Sequence, residues 1–237
     1  MMGSIMRHSA HILLIFFCVL IASESFTAQD KIFKRAIKYF FQKKFEMAEL
    51  LLRESIKRNP ENVHAYSYLG DLFLKKRKYD GALNMYKKAI DINSSIAENY
   101  FRMGQIYYYK KLGSLAIDNF KKTLELDKSL KQCYFHIGLT YLMIERNKSK
   151  TIESWETFLR KAPEDPQYDK IRRVLELLKD PNFKIPPKGS DVSIEEALHL
   201  GGQVLKKVDR SSKDKQAGDE KKKTKKKLEE IYEDDDL

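Results

Sequence analysis

The feature that most constrains the fold of this chain is a set of residues that recurs every 34 positions. A glycine column and an alanine column keep this spacing, at Gly70, Gly104 and Gly138 and at Ala48, Ala82 and Ala116. Two aromatic columns run in register with them, at Tyr66, Tyr100 and Tyr134 and at Phe73, Tyr107 and Tyr141. Such a period indicates one structural unit stacked several times, because a single unit of this size cannot bury its apolar face alone.

Each unit is predicted to be a pair of helices. In the second unit, small or apolar residues lie at i, i+3, i+4 and i+7, which is one face of a helix, at Tyr66, Leu69, Gly70 and Phe73. A second helical face follows at Ala82, Tyr86 and Ala89. The run at 75–78 is too polar to bury and predicts the turn between the two helices. The small residues are expected to let the helices approach closely.

These columns resemble the tetratricopeptide repeat (TPR) family, whose unit places a bulky residue, Leu-Gly and Tyr in one helix and Ala, an aromatic residue and Ala in the next. The resemblance implies an all-α fold, a right-handed superhelix of TPR helical hairpins (an α-solenoid). The residues that follow the repeats add a capping helix and a disordered C-terminal tail to this prediction. The second helix of the fourth repeat runs one residue late, which predicts a longer turn around Asn147. The four repeats are expected within 29–165, at 29–62, 63–96, 97–130 and 131–165.

A capping helix is expected after the last repeat, at 166–180. Asp165 is a good N-cap, and Pro166 suits the first helical position. Apolar residues then recur at helical spacing, at Tyr168, Ile171, Val174, Leu175 and Leu178. This helix would cover the open end of the fourth repeat, as terminal caps do in stacked-repeat proteins.

Residues 181–208 are predicted to form a linker that contains a short amphipathic helix. The capping box of Ser193 and Glu196 marks its start, and two later glycines weaken it, so we expect it to fold only when docked. Residues 209–237 hold almost nothing apolar and are expected to stay disordered. This tail is rich in lysine first, with six lysines from Lys221 to Lys227, and then acidic.

The N-terminal segment at 1–25 has the layout of a secretory signal peptide. Arg7 precedes an unbroken apolar run at 12–22, and small residues follow at Ser23 and Ser25. The run is shorter than the roughly 20 residues that an ordinary membrane span requires. We therefore expect cleavage after Ser25, export to the periplasm or cell envelope, and no stable membrane span in the mature chain. The alternative is retention by an uncleaved N-terminal anchor.

The TPR resemblance also implies a binding site, because the first helix of each hairpin in this family lines a concave groove for peptides. Such a groove would be aromatic and nearly neutral in this chain, and aromatic residues with arginine are enriched at binding hot spots. The alternative is that some of these side chains pack against neighbouring helices or the tail. The groove candidates are Phe33, Ile37, Tyr68, Asp71, Phe101, Arg102, Gln105, Tyr108, Phe135, His136 and Leu139.

No pattern typical of an enzyme, a cofactor site or a metal site is found. His64 and His136 lie two repeats apart without cysteine or carboxylate partners at ligand spacing, and Cys133 fits a small buried apolar residue. We therefore expect a protein that is not an enzyme and that has no cofactor and no metal. An envelope enzyme is only a remote alternative.

The predicted function is that of an exported scaffold, which binds a protein or peptide in its groove and serves a cell-envelope complex. The alternative is an adaptor that the lysine block, Lys221 to Lys227, attaches to an anionic envelope surface. The formal net charge of +11 is compatible with such contacts. Nucleic acid is not expected as a partner of an exported protein.

Overall fold

The computed structural model describes residues 31–191 and 193–199. The predicted signal segment at 1–25 and the predicted tail at 209–237 lie outside these residues. Every regular element in the described part is helical. The elements are α1 (31–41), α2 (Phe45–Arg58), α3 (Val63–Lys75), α4 (Tyr79–Ile92), α5 (Ala97–Tyr109), α6 (Gly113–Leu126), α7 (Gln132–Thr140), a π-helical turn (Tyr141–Glu145), α8 (Lys148–Lys161), α9 (Tyr168–Lys179) and α10 (Ile194–His199).

The chain divides into two compact units, the first ending at Asn99 and the second beginning at Tyr100. In the first unit, α2 packs on α3 and α3 packs on α4. In the second, α6 packs on α7, α7 on α8, and α8 on α9. Consecutive helices therefore pack against each other within each unit, which is the arrangement that the 34-residue period predicts.

The close approach of paired helices depends on the glycine column. A Cβ atom built on Gly70 would lie 2.7 Å from the ring of Tyr86, and one built on Gly104 would lie 2.7 Å from the ring of Phe120. Gly138 faces Trp155 in the same way. The prediction that small residues let the helices approach closely is confirmed, and each glycine meets the aromatic residue of the partner helix.

The turns within the hairpins are set by one residue in the left-handed backbone conformation. These residues are Lys43, Arg77, Lys111 and Arg146, each with φ between 55° and 60°. Left-handed residues of this kind commonly end helices, because they redirect the chain while the last carbonyl groups accept hydrogen bonds. In three hairpins, the amide that follows donates to the carbonyl five residues before it, as Lys78 does to Phe73.

The extra residue of the fourth repeat does not lengthen the turn around Asn147, and that prediction is wrong. The first helix instead widens into the π-helical turn Tyr141–Glu145. The amides of Arg146 and Asn147 both donate to the carbonyl of Tyr141. A π-helical turn holds one more residue than an α-helical turn, so the insertion is absorbed inside the helix and the left-handed turn keeps its form.

The helix after the fourth repeat buries its apolar stripe, with Ile171, Leu175 and Leu178 facing inward. It begins at Tyr168, two residues later than expected. The carboxylate of Asp165 accepts a hydrogen bond from the amide of Gln167 at 2.9 Å, so it holds the turn before the helix. The capping residues in the sequence could not determine the first residue of this helix, because helix ends vary by one or two residues.

The segment after α9 folds back onto the second unit. Phe183, Ile194 and Ala197 belong to one hydrophobic cluster with Trp155 and Phe158. The expected capping bond at the start of α10 is present, since the hydroxyl of Ser193 accepts from the amide of Glu196 at 3.0 Å. The short helix is therefore docked on its own chain, which is compatible with the expectation that it folds only when docked.

Candidate peptide-binding surfaces

The first unit brings the groove candidates Phe33 and Tyr68 into contact and places Ile37 about one helical turn after Phe33. Phe33 and Ile37 lie on α1, and Tyr68 lies on α3. The rings of Phe33 and Tyr68 are 6.0 Å apart in an edge-to-face arrangement. Phe41 completes the group, with its ring 6.4 Å from Tyr68. These four residues form the first aromatic face.

Phe41 is the residue that the groove prediction missed. It is 70% exposed, the highest value among the large exposed apolar residues of the described chain. A signal for it was present, because Phe33, Ile37 and Phe41 follow one another at i, i+4 and i+8 along the same side of α1. Edge-to-face aromatic pairs such as those of Tyr68 hold the rings at fixed angles, so the exposed ring of Phe41 packs against an ordered neighbour.

Asp71 lies on α3 but has a structural partner. Its carboxylate accepts a hydrogen bond from the hydroxyl of Tyr86 at 2.6 Å. Tyr86 is almost completely buried, and a buried hydroxyl group that loses its partner costs about 1–3 kcal/mol. The Asp71 carboxylate therefore supplies the acceptor that the buried Tyr86 hydroxyl requires, and it also lies near the candidate surface.

In the second unit, His136 lies at the centre of an aromatic group. Its ring stacks on Phe120, with centroids 5.2 Å apart and planes 17° apart. Phe101 and Phe135 both meet it edge-on, at 5.3 Å and 5.2 Å. These four residues form the second aromatic cluster. Three of them are groove candidates, while Phe120 is fully buried beneath them.

The electrostatics of this cluster keep His136 neutral. Burial, with a smaller contribution from the positive charge of Arg102, lowers the pKa of His136 to about 4. Arg102 donates a hydrogen bond to the side chain of Gln105 at 3.0 Å and lies over the ring of Phe101. At neutral pH, His136 therefore acts as an uncharged aromatic ring beside a fixed cation.

Two groove candidates of the second unit have little surface to offer. Leu139 is 7% exposed and belongs to the same hydrophobic cluster as Ile194 and Ala197. Gln105 is 9% exposed. These positions are corrected from groove lining to interior packing, which is the alternative that the sequence left open. Tyr108 and Phe135 are half-buried and pack against the same cluster as Leu139.

The remaining candidates for chemistry are accounted for by their surroundings. Cys133 is fully buried, and burial raises the pKa of its thiol to about 12, so it behaves as a small apolar residue. His64 is exposed. Among the described residues, no three histidine, cysteine or acidic side chains are grouped as a metal ion would require. Within the same residues, no helix combines the length and apolar character that a membrane crossing needs.

Comparison with known proteins agrees with this architecture. The family model of the TPR repeat matches residues 70–111, which include the end of α3 and all of α4 and α5. A comparison with curated proteins gives no significant sequence match.

Solved structures extend the likeness over most of the chain. The crystal structure of the MamA protein is 18% identical, covers 79% of this chain and 98% of that chain, and gives a TM-score of 0.58. YrrB, described as a TPR protein with an unusual peptide-binding site, is 14% identical and gives 0.56 over 74% of this chain and 90% of that chain. Cut9 in an APC/C hetero-tetramer with Hcn1 is 16% identical and gives 0.57 over 64% of this chain and 30% of that chain. Residues 70–111 thus match the TPR repeat, and the all-α fold of the described residues is like that of TPR helical-repeat structures.

Proposed function

We propose that this protein is an exported TPR scaffold that binds a partner peptide or helix and helps to assemble or maintain a cell-envelope complex. The observation that carries the proposal is the first aromatic face, Phe33, Ile37, Phe41 and Tyr68. An ordered aromatic group with a ring as exposed as that of Phe41 offers apolar surface that a partner can remove from water. The part of the proposal that concerns export rests on the sequence of residues 1–25.

The energetics of such a contact are favourable. Burying one phenylalanine side chain fully contributes roughly 1.5–3 kcal/mol. Aromatic anchors lose few rotatable bonds on binding, so little conformational entropy opposes the contact. Tyr68 adds a hydroxyl group that can pair with a peptide backbone at the edge of the apolar contact. A short peptide with one or two apolar side chains therefore suits this face.

Proteins of the same fold support the class of function. YrrB is described as having a peptide-binding site, and Cut9 and Hcn1 form a hetero-tetramer. The second aromatic cluster is a weaker candidate for the main contact. Its rings are held against one another and against buried Phe120, so a partner would gain less new buried area there.

The test is capture of partners from envelope extract by the purified chain and by the double variant Phe41→Ala with Tyr68→Ala. We expect at least one captured protein to be lost or reduced about tenfold, since two aromatic anchors carry much of a small interface. The matched control is Met47→Ala with Leu50→Ala, which removes exposed apolar side chains from α2 of the same unit. Unchanged capture by the Phe41 and Tyr68 variant, with its melting curve intact, would falsify the proposal.

An alternative function is a tail-driven adaptor, which the lysine block from Lys221 to Lys227 favours. In that case, the lysine side chains would attach the protein to an anionic envelope surface, and attachment would weaken steeply with salt. Deletion of residues 209–237 separates the two functions. The scaffold keeps its captured partner after the deletion, whereas the adaptor loses its attachment.

A further inference from the structure

The turn between α5 and α6, in the second unit, exposes a cluster of apolar side chains. Three of the eight large apolar residues that are exposed in the described part of the chain fall within residues 109–115. They are Tyr109, Leu112 and Leu115, each between 41% and 44% exposed. These three residues form the apolar turn. Exposed apolar residues are thus concentrated in one short stretch of the second unit.

The backbone of the apolar turn is held by hydrogen bonds. The amide of Lys111 donates to the carbonyl of Tyr108, and the amide of Leu112 donates to the carbonyl of Tyr107, each at 2.9 Å. Lys111 has a φ of 60°, in the left-handed region. Because these bonds keep the turn in one conformation, its side chains are displayed before a ligand arrives, and little ordering opposes a contact.

The fold does not require apolar residues at these positions. The turn of the second repeat lies 34 residues earlier and has the same left-handed conformation, with a φ of 55° at Arg77. It carries Lys75, Lys78 and Gly81 where the third repeat carries its three apolar residues. Exposed apolar surface costs free energy that a ligand recovers by removing it from water. The apolar residues of the third repeat are therefore explained by a ligand better than by packing.

Positive charge accompanies the apolar turn. Lys110 and Lys111 lie within it. The neighbouring turn at 145–150 is in contact with it, since the carboxylate of Glu145 lies against Gly113. The two turns together contain five basic residues and one acidic residue. This part of the second unit therefore presents apolar side chains together with an excess of cations.

This chemistry matches the surface of a membrane that contains anionic lipids. Leucine and tyrosine side chains enter the interfacial region of a bilayer, and lysine side chains attract anionic headgroups. Only three residues join α5 to α6, so the turn protrudes at the end of its hairpin and can enter a fluid surface without a matching pocket. Nucleic acid offers negative charge to the lysines but no apolar layer to the leucines, so the membrane fits better.

We infer that the apolar turn docks the second unit on a membrane that contains anionic phospholipid. Leu112 and Leu115 enter the apolar boundary of the bilayer, while Lys110 and Lys111 stay among the headgroups. The contact places the turn on the membrane surface and not across the bilayer. The inference goes beyond the proposed function, because it adds a lipid ligand and concerns a different unit from the first aromatic face.

The experiment measures binding of the full chain to vesicles of phosphatidylcholine alone and of phosphatidylcholine mixed equally with phosphatidylglycerol. We expect binding to the mixed vesicles that weakens with salt. The variant Leu112→Gln with Leu115→Gln should bind them about tenfold more weakly, because it loses apolar contact and keeps its charge. The control Ile92→Gln with Leu126→Gln changes the last residues of α4 and α6, which are comparably exposed, and should bind like the original chain.

A second measurement locates the contact and does not depend on the glutamine variant. Tryptophan replaces Tyr109 in one variant and Leu126 in another, and brominated lipid quenches a tryptophan that enters the bilayer. The chain has one tryptophan of its own, Trp155, which is buried and gives the same background in both variants. We expect quenching in Tyr109→Trp and none in Leu126→Trp.

Several results would overturn the inference. Equal binding by the glutamine variant and its control would mean that the apolar turn makes no contact, and attachment by the lysine block alone would leave Tyr109→Trp unquenched. A dimer that the glutamine variant loses would assign the turn to a second copy. An oligonucleotide that binds more tightly than the mixed vesicles and prevents quenching would assign it to nucleic acid. Partner capture through the first aromatic face is measured separately, so failure here leaves the proposed function standing.

Discussion

Gly104 lies directly against Phe120, so that a Cβ atom on Gly104 would come within 2.7 Å of Cε1 of the ring. This pair joins α5 and α6, and Phe120 is fully buried. The helix contact is therefore set by the absence of a side chain on one helix and the presence of a large ring on the other. The relationship recurs as Gly70 with Tyr86, which makes it the basic contact of the hairpin.

The substitution Gly104→Leu should destabilise the protein by about 1–3 kcal/mol, because an overpacked side chain forces the ring or the helices to move. Chemical denaturation measures the change. Asn84→Leu is the control, since it introduces the same leucine side chain at an exposed position of α4. An equal free energy of unfolding for the Gly104 variant and the original chain would contradict the close contact.

Replacement of the turn residue Arg77 by glycine should stabilise the protein. Its φ of 55° lies in the left-handed region, which costs a side chain roughly 1–2 kcal/mol, and glycine avoids that cost. Glycine also loses more backbone freedom on folding, which offsets part of the gain. We expect Arg77→Gly to stabilise the protein by about 0.5–1 kcal/mol in urea denaturation.

The control for this prediction is Arg77→Ala. Alanine removes the same charge and side chain but keeps the strain of the left-handed conformation, so it should bring no stabilisation. If alanine and glycine raise the stability equally, the effect comes from the side chain and the argument from backbone strain fails.

His136 should make the stability depend on pH. Burial lowers its folded-state pKa to about 4, whereas the unfolded chain has the ordinary value near 6.5. The unfolded state therefore binds the proton first as pH falls. The contribution of His136 is fully present above about pH 6.5 and is lost as pH falls toward 4, and it amounts to at most a few kcal/mol.

The variants His136→Phe and His64→Gln test this assignment. His136→Phe keeps an aromatic ring in the stack but cannot bind a proton, so the fall in stability between pH 6.5 and 4 should become shallower. His64 is exposed, and its replacement should leave the pH profile unchanged. Denaturant midpoints at several pH values give the comparison, and parallel profiles for the original chain and His136→Phe would exclude the histidine as the cause.

The sequence could predict the parts of this architecture that repeat at a fixed spacing, but not the part that depends on one inserted residue. Gly70, Gly104 and Gly138 recur because each faces an aromatic ring, so spacing alone located the paired helices. The π-helical turn at Tyr141–Glu145 could not be predicted, since one extra residue fits equally well into a turn or a helix.

The candidate site was predictable only in part. Phe33 and Tyr68 came from position in the repeat, and their ring contact agrees with a shared surface. Leu139 occupies in the fourth repeat the position that Ile37 has in the first, but it is buried, because its cluster includes residues from the segment after α9. Contacts between distant parts of a chain leave no periodic signal in the sequence. Residue spacing therefore could not show that Leu139 is buried or that Ile194 packs in the same cluster.

Lys148 should hold the segment after α9 in place. Its ammonium group donates to the carbonyl groups of Asp180 and Phe183, each at 2.8 Å, and lies over the ring of Phe183. Methionine at this position keeps the apolar stem and removes both hydrogen bonds, at a cost of about 1 kcal/mol. We expect Lys148→Met to open the segment locally about fivefold more often while global stability changes little.

Limited trypsin digestion can measure this opening, since Lys184 and Lys188 are exposed in the segment and cleavage there requires local unfolding. Mass spectrometry follows the cut after each of these two lysines over time. Lys121→Met changes an exposed lysine of α6 and serves as the control. Faster cleavage in Lys148→Met alone would show that one charged side chain of α8 holds the segment to the second unit. Equal rates in both variants would mean that burial of Phe183 and Ile194 suffices without it.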